Sequence, residues 1–229
     1  MNNARRSFML AGGALAVIAA TGSLPARASD ASDASSLVQK SQATIDAFTS
    51  SKEFPTLAAA LGKAHAVLIF PQILKAGFVL GGSGGSGVLL VRDAKTRTWH
   101  GPAFYTMGSA SIGFQAGASA AEVVMLVNSQ KALDSLYTNK LKLGGDASVA
   151  AGPKGVGTGA AIDADFIVYS TVQGAYAGLA VDGSVLDVRE SLNSAYYAKP
   201  VTPLDILVKQ LVSNPESTGL QAALKKAAK

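Results

Sequence analysis

Apolar residues change their spacing along this chain, and each change marks a different kind of element. From Leu37 to Leu61 the spacing is helical: Leu37, Val38, Ile45 and Phe48 share one face, and Phe54, Leu57, Ala58 and Leu61 keep an i, i+3, i+4, i+7 pattern. Pro55 suits the first position of the second of these helices. The polar faces carry only Lys40, Lys52 and Lys63, too few for a membrane-surface helix, so both are predicted to pack on a sheet. From Ala66 the apolar residues come in short unbroken runs. Ala66–Phe70, Ala76–Leu80, Val88–Val91, Val123–Val127, Ala160–Tyr169, Ala175–Val181 and Val185–Val188 read as strands. Pro71 closes the first run, and Asp182-Gly183 is a hairpin turn signal. A charged turn, Arg92–Arg97, leads into Trp99–Tyr105. Ser129 is placed to cap a short helix to Tyr137.

Past Glu190 the helical spacing returns. Ser191–Ala198 and Pro203–Val212 are predicted helices, the second with Leu204, Leu207, Val208 and Leu211 on one face, and Leu220–Lys229 is a basic tail helix. Helices at both ends around a run of strands give an α+β fold. The expectation is a strongly curved antiparallel sheet, or partly closed β-barrel, with N- and C-terminal helices packed on it.

The stretch Lys75–Val91 is the centre of this pattern. Its middle, Gly81–Gly87, contains nothing but Gly and Ser, which predicts a Gly-rich hairpin or a closely packed barrel corner. A formal G-x-G-x-x-G lies at Gly82, Gly84 and Gly87, but a strand follows it where a dinucleotide site needs a helix. Near Met107 no acidic residue stands where the ribose would need one.

Other chemistry is sparse. The chain has no Cys, which excludes disulfides, thiolate catalysis and zinc–cysteine sites. His65 and His100 are the only imidazoles, and no carboxylate is regularly spaced with either, so no metal site is expected. The Gly-Ser-Gly repeats have the wrong spacing for a nucleophile elbow. Asp163 and Asp165, at i and i+2, are a conceivable carboxylate pair on one strand face, equally explained by a surface-facing edge. No catalytic residue and no cofactor are expected.

Residues 1–28 have the features of an export signal. Arg5-Arg6-Ser7-Phe8-Met9-Leu10 is a twin-arginine motif, Ala11–Ala20 is an apolar run too short to span a bilayer, and Ala26-Arg27-Ala28 is a small-x-small cleavage site. The expected organisation is a signal peptide at 1–28, a mobile polar leader at 29–36 (SDASDASS), and one domain at 37–229 with its core at 58–197. The expected location is the periplasm or cell envelope. Without the three N-terminal arginines, the +5 net charge becomes +2, from 17 basic and 15 acidic residues. That balance excludes the broad positive field of a sequence-independent nucleic-acid binder.

The order of motifs resembles one family. KAGF at Lys75–Phe78, the glycine block Gly81–Gly87, FQAGA followed by VVMLVNS, LGGDASVAAGPKG with its Gly152-Pro153 turn, and YSTVQGAYAGLAVDGSVL resemble the SYLF domain family over roughly Ala58–Tyr197. The resemblance implies lipid binding and membrane association, without catalysis; some eukaryotic members also bind actin. Val156 stands where the family usually places a base, and Thr171–Gln173 also lack one, which argues against a preference for phosphoinositides. The expected partner is phospholipid or a membrane surface. The candidate contact residues are Lys75, Arg92, Lys95 and Arg97, gathered at one end of the sheet, with Phe78 and Trp99 as apolar contacts. The rival reading is an envelope protein that binds a protein partner and has no lipid site.

Overall fold

The computed structural model describes residues 24–77, 80–112, 117–138, 140–152, 163–174, 181 and 183–228. The twin-arginine motif, Phe78, Pro153, Val156 and most of the expected strand Ala175–Val181 lie outside these residues.

The first element among the described residues is α1, Leu24–Ser50. It passes straight through residues 29–36 and so corrects the expected mobile leader. Ser and Asp are modest helix formers, but here tertiary contacts decide. Ala34 is fully buried in the core, and the Ser35 hydroxyl donates to the Glu216 carboxylate near the C-terminus. A short helix α2, Leu57–Leu61, follows.

Among the described residues, eight strands then form one sheet: β1 Ala66–Gly77, β2 Leu80–Arg92, β3 Trp99–Ile112, β4 Gly117–Val127, β5 Leu141–Lys142, β6 Val149–Ala151, β7 Phe166–Gly174 and β8 Val185–Val188. Their order is β5-β8-β3-β2-β1-β4-β7-β6. All pairs are antiparallel except β6 with β7, which is parallel. The edge strands β5 and β6 are close in sequence, and a Leu143–Ala147 bridge lies between them, so the sheet curls into a half-barrel. The fold is α+β, as the spacing predicts.

Both sheet faces are buried over the strand centres, which is why runs such as Ala66–Phe70 and Val123–Val127 are apolar without alternation. On the outer face, Val67, Ile69, Val88, Phe104 and Val124 pack under α1, α2 and the terminal helices. On the inner face, Leu68, Phe70, Leu89, Tyr105 and Met125 pack with α3, Gln130–Thr138. Ser129 caps α3 as expected, accepting from the Ala132 N–H at 3.1 Å.

The expected strand Ala76–Leu80 is not one strand: β1 runs from Ala66 through Pro71 to Gly77, and Leu80 already belongs to β2. Proline has no N–H for the ladder, so it is tolerated inside a sheet at a bulge. The register shows that bulge: between Ile69 and Leu74, β1 spends five steps where β2 spends four, from Val88 to Gly84. The block Gly81–Gly87 is likewise the body of β2 and not a hairpin turn.

The chain closes with α4 Glu190–Tyr196, α5 Pro203–Leu207, a 3-10 turn at Pro215–Ser217 and α6 Thr218–Ala227. Helix α5 is shorter than expected. Its buried residues are Pro203, Ile206 and Leu207, while Val208 and Leu211 are exposed. Fully buried Asn193 in α4 pins that helix to β3: its Oδ1 accepts from the Phe104 N–H at 2.9 Å and its Nδ2 donates to the Phe104 carbonyl at 3.4 Å.

Candidate lipid-contact site

The bulge at Pro71-Gln72 decides what the far end of the sheet presents. In a regular strand, Phe70, residue 72 and Leu74 would share the inner face. The extra residue shifts the alternation, so Phe70 and Ile73 are inner residues and Leu74 and Lys75 exchange sides. Leu74 points outward and is 55% exposed. Lys75 falls on the inner face.

Around Lys75 the register builds a polar row. Lys75 lies opposite Ser83 on β2 and Ser119 on β4, and Ser83 lies opposite Ser109 on β3. The Ser83 and Ser109 hydroxyls are 2.7 Å apart and hydrogen-bonded. Directly below the row are Ile73, Met107 and Ala121, all buried. The other side of the same strands is small and apolar: Leu74 lies between Ala120 and Gly84, and Gly84 opposite Gly108. Ala76 and Ala118, one row further out, are exposed. This end of the sheet thus has a hydroxyl-and-lysine side and a flat apolar side from which Leu74 projects.

The other expected contact residues do not join Lys75. Arg92 pairs with Trp99 beside Val91, which is opposite Ala66 at the start of β1. Nine residues of strand separate Ala66 from Lys75, roughly 30 Å. Trp99 is 4% exposed and belongs to the outer-face core, so it is not an apolar contact for a membrane. Arg92 donates from Nη1 to the Gly62 carbonyl at 2.6 Å. Burial, and then the neighbouring Arg97, hold its guanidinium below its ordinary pKa. Lys95 and Arg97 are exposed on a turn organised by Asp93, whose Oδ1 accepts from the N–H groups of Lys95 and Thr96. Those hydrogen bonds, the Thr96 N–H first, lower the Asp93 pKa. Phe78 lies outside the described residues. Leu74, Ser83, Ser109 and Ser119 were not singled out in the sequence; their alternation is visible there, but their faces depend on the bulge.

The conceivable carboxylate pair is not one. Asp163 and Asp165 precede β7 and are not within it. Asp165 is a structural hub that accepts from the hydroxyls of Ser129 and Ser148 and from the Ser148 N–H. The Ser129 hydrogen bond is the largest cause of its lowered pKa. Among the described residues no group of three His, Asp or Glu could hold a metal ion, and no helix is long and apolar enough to cross a membrane.

The C-terminal half of the chain, from within β3 to the end of α6, matches a known family model. Residues 108–227, just over half the chain, match the Ysc84 family, described as Las17-binding protein actin regulator. The chain therefore belongs to the Ysc84 family, whose domain is the SYLF domain. Among curated relatives, LAS seventeen-binding protein 3 of Saccharomyces cerevisiae is 36% identical over 142 residues, 59% of this chain and 31% of the yeast protein. SH3 domain-containing YSC84-like protein 1 of Rattus norvegicus is 31% identical over 163 residues, 68% of this chain and 46% of that protein. The Bos taurus protein of the same name is 28% identical over 180 residues, 76% and 51% of the two chains. The chain thus spans about a third of the yeast relative and about half of the mammalian ones. No solved structure matches it.

Proposed function

We propose that the protein is a non-catalytic lipid-binding protein of the bacterial cell envelope, exported through the twin-arginine motif Arg5-Arg6-Ser7-Phe8. The observation that carries the lipid reading is the exposed Leu74 next to Lys75 at a sheet end of small residues. A large apolar side chain projecting from a row of small residues suits shallow contact with the acyl boundary, and Lys75, next in the strand and facing the other side of the same sheet end, suits the headgroup layer. With a net charge of +2 beyond residue 28, binding to anionic lipid is modest and salt-sensitive, since each Lys or Arg near such a surface contributes on the order of 1 kcal/mol. The missing bases at Val156 and Gln173 argue against phosphoinositide preference.

The test is co-sedimentation of the chain without residues 1–28 with phosphatidylcholine, phosphatidylglycerol and phosphoinositide vesicles at low and physiological salt. Binding to phosphatidylglycerol that falls on Leu74→Ser and Lys75→Gln is expected. Salt-resistant, phosphoinositide-selective binding would contradict the reading.

A second reading has its own support. The family description and the yeast relative name a protein partner, Las17, and the mammalian relatives are named as SH3 domain-containing proteins. Absence of binding to every vesicle would favour an envelope protein that docks a protein partner.

A further inference from the structure

We infer that the cleft between α1, the start of α4 and β2 is a binding site for one phosphate group carrying an ammonium arm, the chemistry of phosphoethanolamine. The cleft has a volume of about 220 Å³ and is lined by Asp33, Ser36, Leu37 and Lys40 of α1, Ser86 of β2, Arg189, and Leu192 of α4. Arg189 is held in place from two directions. Its backbone N–H donates to the Phe104 carbonyl at 2.9 Å, and its Nη1 donates to the Ser86 hydroxyl at 2.6 Å. A guanidinium fixed in this way loses little freedom when it meets an oxyanion, and its remaining N–H groups form a fork suited to phosphate. Among the described residues, Arg189, Lys40 and Asp33 form no ion pair.

The helix sets the order of charges. Asp33, Ser36 or Leu37, and Lys40 recur at i, i+3 or i+4, and i+7, so they form one stripe. Seven residues of helix place Asp33 roughly 10 Å along the axis from Lys40, too far to neutralise it. An anion at Lys40 and Arg189 therefore leaves Asp33 free to accept from an ammonium group two carbons away. The Ser36 and Ser86 hydroxyls supply further donors, and Leu37 and Leu192 give the linker an apolar wall. A multiply phosphorylated headgroup would bring charge against Asp33.

The cleft adjoins the candidate lipid-contact face. Ser86 is two residues along β2 from Gly84, the cross-strand neighbour of Leu74, roughly 7 Å away on the same face. The inference deepens the lipid reading at that point and rests on it only for the source of the headgroup.

The experiment is isothermal titration of the full chain with phosphoethanolamine and with inorganic phosphate, for the wild type, Arg189→Gln, Lys40→Gln and Asp33→Asn. Lys40 and Asp33 are exposed helix positions, so their variants keep the fold even if Arg189→Gln does not. Saturable phosphoethanolamine binding, weakened roughly tenfold by Lys40→Gln and by Arg189→Gln, is expected. Asp33→Asn weakens phosphoethanolamine but not phosphate. No saturable binding by the wild type, an unchanged affinity in Lys40→Gln, or an equal gain for both ligands in Asp33→Asn would overturn the assignment. Vesicles separate the sources. Extra binding to phosphatidylethanolamine in phosphatidylcholine, lost in Lys40→Gln, marks a lipid headgroup; solution binding alone marks a free phosphoamine. Leu74→Ser leaves the solution titration unchanged, so failure of the membrane reading is distinguishable from failure of the site.

Discussion

Gly85 sits directly against the Gln72 carbonyl: a Cβ built on Gly85 would overlap that oxygen and stand 3.1 Å from the Ile73 Cα. The bulge in β1 pushes its backbone onto β2 here, and a residue without a side chain receives it; Gly87 is similarly tight against the Ile69 carbonyl. At Gly84, by contrast, a Cβ would meet the Met107 carbonyl at 3.5 Å, an ordinary contact.

Gly85→Ala should therefore destabilise the protein by about 1–3 kcal/mol or more, as overpacking against backbone does. Gly84→Ala should change stability by less than about 0.5 kcal/mol, like other unstrained surface substitutions. Chemical denaturation of the two variants side by side checks this. Equal losses would mean that the block is uniformly constrained. Dinucleotides should leave the Tm unchanged, because the glycines are the body of a strand and no helix N-terminus follows them.

Trp99 belongs to the fold and not to the membrane contact. Trp99→Ala should cost about 3–5 kcal/mol, the range for removing a large buried ring. The milder Trp99→Phe should bind vesicles like the wild type, measured per folded molecule. A selective loss of vesicle binding in Trp99→Phe would return the residue to the surface patch.

Acid should weaken the α5 cap. The Thr202 hydroxyl and N–H both donate to Asp205, and Lys209 donates at 3.0 Å, so the carboxyl is lowered from 3.8 to about 2. A depressed folded-state pKa contributes stability that is fully present above the unfolded value. It is lost as pH falls through the folded one, between about pH 4 and pH 2. Asp165, lowered by Ser129 and Ser148, adds a loss of the same sign. Denaturant midpoints across this range should fall for the wild type and fall less steeply for Asp205→Asn.

Export should depend on the arginine pair. Replacing Arg5 and Arg6 by Lys should retain the chain in the cytoplasm, and the wild type should appear in the periplasm cleaved after Ala28. Cell fractionation with N-terminal sequencing reads both. Undiminished periplasmic delivery of the Lys variant would rule out the twin-arginine route.

Much of this protein was legible in its residues, because its strongest signals are local. The i, i+4 pair Leu57 and Leu61 and the unbroken run Val123–Val127 depend on near neighbours and on burial, so they identify helix and strand, although α2 begins at Leu57 after Thr56 and not at Pro55, and leaves Phe54 outside it. Ser129 as a cap is equally local. Residues 29–36 are the opposite case: their composition suits a mobile leader, and contacts with residues far along the chain hold them as helix.

The sequence by itself determined the class of fold, the family motifs and the lack of disulfide or thiol chemistry. The tertiary structure alone decided which side chains meet. A one-residue bulge at Pro71-Gln72 turned Leu74 outward and Lys75 inward, because side chains on a strand alternate with a period of two and one extra residue reverses every face beyond it. Strand β2, running back along β1, carried Arg92, and with it Trp99 at the start of β3, to the opposite end from Lys75, although all three are close in sequence. Folding brought Arg189 to Ser86 across 103 positions of chain, and no local pattern encodes that distance.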